Sequence, residues 1–414
     1  MYNFSIINED EFQQFSDQHP QATFLQTVKM GNLRKKRHWQ VEYVGVKQDG
    51  VLIGAALLAH MKIKLGYYYE IDGGMLVDYT NTDLVSYFVE SLKTYIKKNN
   101  GIYLSIKPNL VYQERDWNGQ AIGEPNKKAY DLLSSLGFHH EGFESGFSGD
   151  SPRWIFAKAL VGMDQDSLWK SYQKSAQYSI KKTQEYGVKV RELSYEELPK
   201  FKELTAHTSE RRQFHDKDLA YYQAVYQEFG ESAKFIVAEI NFADYIHNIR
   251  EKERHLKEKL ATIYMDLEAN PNSRKKNNQK REFEDELKTF EKRIADADEF
   301  KSLEGDVIVA GALFIQHPQE VVYLFSGTYD QYKKFYAPYM IQHDMMRYTV
   351  AQKIPTYNFY GVSGLFDGSD GVLKFKQSFT GYVEEHIGSF DLIVNPVKYK
   401  LYTALKNVVG KLRG

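Results

Sequence analysis

The stretch from Tyr245 to about Leu303 constrains the fold more than any other part of the chain. It is highly charged and lacks strand patterning. Its apolar residues recur at spacings of three and four: Ile249, Leu256, Leu260, Ile263 and Leu267, with Glu253 filling one slot. Asn270-Pro271-Asn272-Ser273 breaks the run, because proline lacks the N–H a helix needs and its ring clashes with the preceding turn. Phe283, Leu287, Phe290, Ile294 and Ala297 then resume the rhythm. Two helices with one narrow apolar seam each can satisfy only one another, so the pattern predicts an antiparallel coiled-coil hairpin over 244–304. Each helix would be about 40 Å long at 1.5 Å per residue. Such an arm projects from whatever carries it.

On either side the chain alternates strands and helices, the signature of a mixed α/β (α+β) layer. Residues 1–159 read as a first lobe. It has a helix over Glu9 to Gln18 capped by Asn8 and a hairpin of Val41 to Lys47 with Val51 to His60 across Gln48-Asp49-Gly50. A strand over Tyr67 to Ile71, a helix over Asp83 to Asn99 and a strand over Gly101 to Ile106 follow. Residues 160–243 and 305–389 read as a second lobe on the same plan. It has a helix from Glu196, a strand from Lys234, a hairpin of Asp306 to Phe314 with Glu320 to Phe325, a helix over Tyr339 to Gln352 and a strand over Thr356 to Tyr360. Val51-Leu-Ile-Gly-Ala-Ala-Leu-Leu and Val307-Ile-Val-Ala-Gly-Ala-Leu-Phe sit at equivalent places, which suggests one unit used twice.

Composition removes several classes of function. The 414 residues carry 54 Lys and Arg against 55 Asp and Glu, so no global basic field draws in nucleic acid and any such contact must be local. With no cysteine, disulfides, thiol catalysis and Cys-ligated zinc are excluded, which fits a reducing compartment. No H-E-x-x-H, G-x-S-x-G, P-loop or dinucleotide fingerprint occurs, and no metal site is expected. Met1 to Phe15 does not read as a signal peptide, and no run approaches the roughly 18 apolar residues of a membrane span.

Several residues could carry chemistry. Arg274, Lys275, Lys276, Lys280 and Arg281 follow the arm's turn; they are either a solvated helix start or a phosphate-contacting tip. A basic helix runs through Ile180 to Thr183 and ends near Gly187. Lys217 and Tyr221, four apart after Phe214, would share a helix face. Gly361, Gly364, Gly368 and Gly371 follow the last expected strand of the repeat. Alternation beyond them predicts a strand over Val372 to Phe379 with Lys374 and Lys376 on one face. A lysine among aromatics beside a glycine-lined cleft is a candidate phosphate or carbonyl ligand.

Three strings make the chain resemble a known family. Phe24-Leu25-Gln26-Thr27 matches an F-x-Q-[ST] opening; Tyr357-Asn-Phe-Tyr-Gly-Val-Ser-Gly364 and Phe375-Lys-Gln-Ser-Phe379 follow in order near the other end. Together with an arm at 248–303, these resemble the Fem family of peptidoglycan bridge-forming aminoacyltransferases over essentially the whole length. The resemblance implies two acetyltransferase-like (GNAT-like) lobes flanking a cleft, with about 390–414 returning to the first lobe. It implies transfer of Gly, Ala or Ser from aminoacyl-tRNA, the co-substrate, to the stem-peptide amine or growing bridge of a peptidoglycan precursor, lipid II being the expected form. No cofactor is implied. Cytoplasmic location, with peripheral contact at the inner face of the membrane, and homo- or hetero-oligomers with related transferases are further expectations. Carried over by position, Arg34, Lys217, Tyr221, Tyr323 (Phe325 in an alternative alignment), Gly361 and Gly364 would bind substrate. Lys376 would be catalytic and the five arm bases would bind tRNA. One departure stands out: many members have Asp-Pro where this chain has Lys107-Pro108, so a carboxylate base at that position is missing. An acyl-CoA-dependent N-acetyltransferase and a non-enzymatic coiled-coil scaffold are the competing readings.

Overall fold

The computed structural model describes residues 1–143, 145–146, 151–212 and 215–413; Phe214 falls outside them, as do the side chains of Arg212 and of 407–413. Two sheets carry the fold. The first runs Tyr2–Ile6, Gln40–Gln48, Val51–Ile63, Gly66–Asp72, Gly101–Lys107, Phe390–Ile393 and Phe138–His140, with Leu76–Val77 against Val51–Ile63. The second runs Lys189–Glu192, Ala233–Asn241, Asp306–His317, Glu320–Thr328, Thr356–Gly361, Trp154–Ala159, Tyr382–His386, Val111–Asp116 and Ala121–Ile122.

The repeated unit is visible in the pairing. Gly66–Asp72 lies parallel to Gly101–Lys107, with helix Thr82–Lys98 as the crossover; Glu320–Thr328 lies parallel to Thr356–Gly361, with helix Ala337–Ala351 between them. The arm occupies the place of a hairpin turn. In the first sheet Gln48 and Val51 are joined by Asp49 and Gly50, both at positive φ, as a tight two-residue turn requires. In the second, the equivalent ladder ends at Asn241 opposite Asp306, and the chain between them forms helices Phe242–Ala269 and Arg274–Ala297. Asn241 caps the first arm helix by accepting from the Asp244 N–H, and Ser273 caps the second. Ile249, Leu256, Leu260 and Ile263 are buried along one helix, Phe290 and Ala297 along the other, which is the seam the spacing predicts.

Two expectations are corrected. The first lobe does not close at 159. Trp154–Ala159 pairs within the second sheet, and Val111–Asp116 with Ala121–Ile122 extends that sheet beyond Tyr382–His386. Local patterning marks a strand but not its sheet, which its partners decide. The segment expected as a strand over 372–379 is instead helix Gly371–Gln377. Asp370 caps it, its carboxylate accepting from the Val372 and Leu373 N–H groups, and Leu373 and Lys376, three apart, face inward. The short alternation was compatible with either period.

The lobes share apolar contacts. Phe12, Phe24, Tyr43 and Leu57 pack in one cluster with Phe201, Tyr222, Phe235 and Leu313. Each lobe keeps its own core besides, around Phe88 and Leu104 in the first and around Phe359 and Met346 in the second.

Candidate active site

A cavity of about 300 Å³ lies where the two sheets meet. Asp72 and Lys107 end the two parallel strands of the first sheet and stand opposite one another in register. Glu320, Asn358, Tyr360 and His386 come from the second sheet, and Thr23 to Leu25 complete part of the wall. Phe24 and Leu25 open the F-L-Q-T string, whose glutamine is structural. Gln26 is fully buried; its amide donates to the Asp72 carbonyl (2.7 Å) and its side-chain oxygen accepts from the Leu57 N–H (2.8 Å). Thr27 caps helix Val28–Lys36, which carries Arg34.

Arg34 reaches the cavity's edge through two carboxylates. Its guanidinium contacts Glu70 at 2.7 Å and Asp72 at 3.5 Å and lies over the Trp39 ring. Although burial opposes ionisation of Glu70, Arg34 and the Tyr68 hydroxyl hold its carboxyl below the usual range. Burial raises Asp72 instead, with Lys107 and Arg34 opposing; Ser151 donates to its carboxylate at 3.0 and 3.2 Å. The first lobe therefore brings a carboxylate to the cavity from the strand beside position 107.

The second expected cluster also forms. Lys217 lies 5.7 Å and Arg37 5.1 Å from the centre of the Tyr221 ring. Phe325 meets that ring edge-on at 6.0 Å, whereas Tyr323 stacks on Phe314 at 5.4 Å. The Phe325 alignment is thus the one that brings the aromatic beside Tyr221, because the register shift between Leu313 and Phe314 changes which residues of the partner strand stand together.

The Y-N-F-Y-G-V-S-G string acts largely through its backbone. The Asn358 amide donates to Glu320 at 2.7 Å and its oxygen accepts from the Tyr360 N–H at 2.7 Å. Tyr360 sits at φ +63°, a conformation costly for a residue with a side chain. Lys376 secures that turn: its ammonium donates to the carbonyls of Tyr360 (3.2 Å) and Gly361 (2.5 Å), and the residue is 3 % exposed. Lys376 thus lies behind Tyr360, which lines the cavity. Gly364, at φ +74°, lets Trp154 pack where a Cβ would come within 2.6 Å of the indole. Lys158 is buried too; it donates to the Phe379 carbonyl and the Thr380 hydroxyl just beyond the helix bearing Lys376.

At the arm's turn Arg274, Lys275 and Arg281 are exposed. Lys276 pairs with Asp266 (2.6 Å), and Lys280 lies 5.0 Å from the Tyr264 ring centre. Among the described residues no cluster of His, Asp or Glu could hold a metal ion.

Sequence reasoning missed Asp72, Glu320, Ser151, Arg37 and His386. They come from distant segments and share no spacing; only the position of Glu320 at a hairpin's second strand was legible. Glu320 keeps partial access to the cavity while protein encloses the rest of it, and that burial pushes its carboxyl up to about 7.

Comparison with known proteins places the chain in a family. A sequence model of the FemAB family matches residues 7–407. Aminoacyltransferase FemA of Staphylococcus aureus (strain MRSA252) is 33% identical over 417 residues, covering 99% of each chain, and FemA of strain N315 is 32% identical with the same coverage. Among solved structures, FemX superposes with a TM-score of 0.76 at 23% identity, covering 96% of this chain and 99% of that one. The chain belongs to the FemAB family.

Proposed function

We propose that this FemAB-family aminoacyltransferase moves an amino acid from aminoacyl-tRNA to an amine of a lipid-linked peptidoglycan precursor and so builds the interpeptide bridge. The observation that carries this reading is the inter-lobe cavity, with carboxylates from both sheets, Lys107 and Arg153 at its wall and Arg34 paired to one of those carboxylates. An aminoacyl ester is already activated, so the step needs no nucleotide. It needs the acceptor amine deprotonated, which costs roughly 4–5 kcal/mol at pH 7 for a lysine-like amine, and it needs the amine held against the ester.

Arg34 and Lys217 offer charge to the precursor's anionic groups, and Tyr221 offers an aromatic face beside them. Lys376 enters as a positioning residue that holds the Tyr360 turn. The exposed bases at the arm's tip offer phosphate contacts to tRNA beyond its acceptor end. Val397, Leu401 and Leu405, four apart and exposed on the last helix, with Lys398 and Lys406 near them, would suit contact with an anionic bilayer.

The test is transfer from labelled aminoacyl-tRNA to lipid-linked precursor, with acetyl-CoA as the competing donor. Peptide-bond formation from the tRNA ester alone supports the reading; acetyl transfer without it sinks the reading. Running the assay across Gly-, Ala- and Ser-tRNA and across acceptors of different bridge length identifies the residue added and its position.

A further inference from the structure

We propose that Glu320 is the group that takes the proton from the attacking amine, and that Asn358 positions it; this rests on the aminoacyl-transfer reading above. The cavity wall carries three carboxylates, Asp72, Glu141 and Glu320; Glu141 is exposed to solvent, and the surroundings of the other two differ. Asp72 is committed: Arg34 approaches it at 3.5 Å, Lys107 stands opposite on the neighbouring strand, and Ser151 donates to it. Burial raises the Asp72 carboxyl as well, but both of its oxygens already accept from the Ser151 hydroxyl and one lies beside the Arg34 guanidinium, so they are engaged by donors within the protein. Glu320 is bound through Oε2 by a neutral amide, that of Asn358, at 2.7 Å.

The mounting of Glu320 is rigid. It opens a strand whose first three residues pair in parallel with Thr356, Tyr357 and Asn358. The same Asn358 side chain receives the Tyr360 N–H, and the Tyr360 carbonyl receives Lys376. Carboxylate, amide, turn and ammonium thus form one chain of hydrogen bonds, which gives the asparagine and lysine of the two motifs a common purpose. The charged groups around Glu320 are Glu384 and His386 on the strand Tyr382–His386 and, on the cavity wall, Asp72, Lys107, Glu141 and Arg153. Burial raises its carboxyl most, Glu384 adds to this, and the Asn358 bond and His386 oppose it, so it titrates at about 7. A base near the operating pH combines an ionised fraction with real proton affinity.

Glu320 takes one proton from the ammonium, leaving a neutral amine. The nitrogen lone pair forms the N–C bond to the ester carbonyl, whose π electrons move to oxygen. On collapse the C–O bond to the ribose breaks, the second nitrogen proton passes to that ribose oxygen, and the proton on Glu320 goes to solvent. The products are an amide, a free ribose hydroxyl and one proton.

The test uses the full chain with aminoacyl-tRNA and lipid-linked precursor. Wild type is measured first; if it transfers nothing, the functional reading fails and this assignment falls with it. Given wild-type transfer, Glu320→Gln should lower kcat at least about 100-fold, keep precursor KM within about twofold and erase the acidic limb of the pH–rate profile. The substitution keeps the side chain's shape and leaves an oxygen that can still accept from Asn358, so the fold should tolerate it. Asn358→Ala should lower kcat less and displace that limb rather than abolish it, and Glu320→Asp should recover part of the rate. Retention of more than a tenth of wild-type kcat by Glu320→Gln, with an unchanged pH profile, overturns the assignment while leaving the transferase reading intact. Should Glu320→Gln not fold, the wild-type profile decides: a limb falling tenfold per unit below about pH 7, with a plateau above, is expected. A rate that climbs without a break through about pH 9 refutes the assignment.

Discussion

Replacing Lys376 with Met separates a positioning lysine from one that touches the reacting atoms. The ammonium binds two carbonyls, Tyr360 at 3.2 Å and Gly361 at 2.5 Å, and the residue is 3 % exposed. Methionine fills most of the space and donates nothing. Each carbonyl left unsatisfied costs about 1–3 kcal/mol, and Tyr360 at φ +63° stores about 1–3 kcal/mol of backbone strain that the pair of bonds restrains. Removing a buried ammonium returns several kcal/mol of desolvation, so the net destabilisation should sit near the low end, about 1–3 kcal/mol. The rate effect should be larger. Release of the turn frees the Tyr360 N–H that orients Asn358, and misplacement by about 1 Å can cost on the order of 100-fold. The expected result is a melting midpoint lower by a few degrees, kcat down at least tenfold, and substrate binding largely kept. Lys376→Arg, which can still reach a carbonyl, should recover part of both. A Met variant with wild-type melting and wild-type turnover would refute the clamp. Wild-type melting with turnover abolished would point instead to direct contact with the reacting atoms.

Other outcomes follow from the same geometry. Arg34→Met should raise precursor KM more than it lowers kcat, as loss of uniform binding does, and should destabilise the fold near neutrality. Glu70 is held below its ordinary range, so its contribution is present above that range and is lost as pH falls through the folded value; the stability gap between wild type and Arg34→Met should therefore narrow on acidification. Buried His317 and His343, each pushed down to about 4, stay neutral in the fold while the unfolded chain takes up protons below about 6.5. Stability measured by urea titration should fall between pH 6.5 and 4, and His317→Gln should flatten that fall. Changing Arg274, Lys275, Lys276, Lys280 and Arg281 together to Gln should weaken full-length tRNA binding and reduce its log–log salt slope by up to about 4, while transfer from a short acceptor-end mimic persists; an unchanged slope would make these bases a solvated face.

Much of this protein is determined by local sequence. The arm follows from its three-and-four spacing and the Asn270 to Ser273 break, because a heptad seam needs only its own partner. The hairpins and crossover helices follow from turn chemistry and periodicity, and Arg34, Lys217 and Tyr221 are reachable through motif resemblance. Tertiary structure decided the rest. Sheet membership of Val111–Asp116 and Trp154–Ala159 depends on partners far along the chain. The helix at Gly371–Gln377 depends on a cap whose carboxylate also binds the Ser363 hydroxyl. The pairing of Glu320 with Asn358, 38 residues away, has no spacing that could reveal it. Burial is likewise a property of the assembled fold: the same carboxyl that would titrate near about 4.3 in an open chain is raised to about 7, chiefly by burial and further by Glu384.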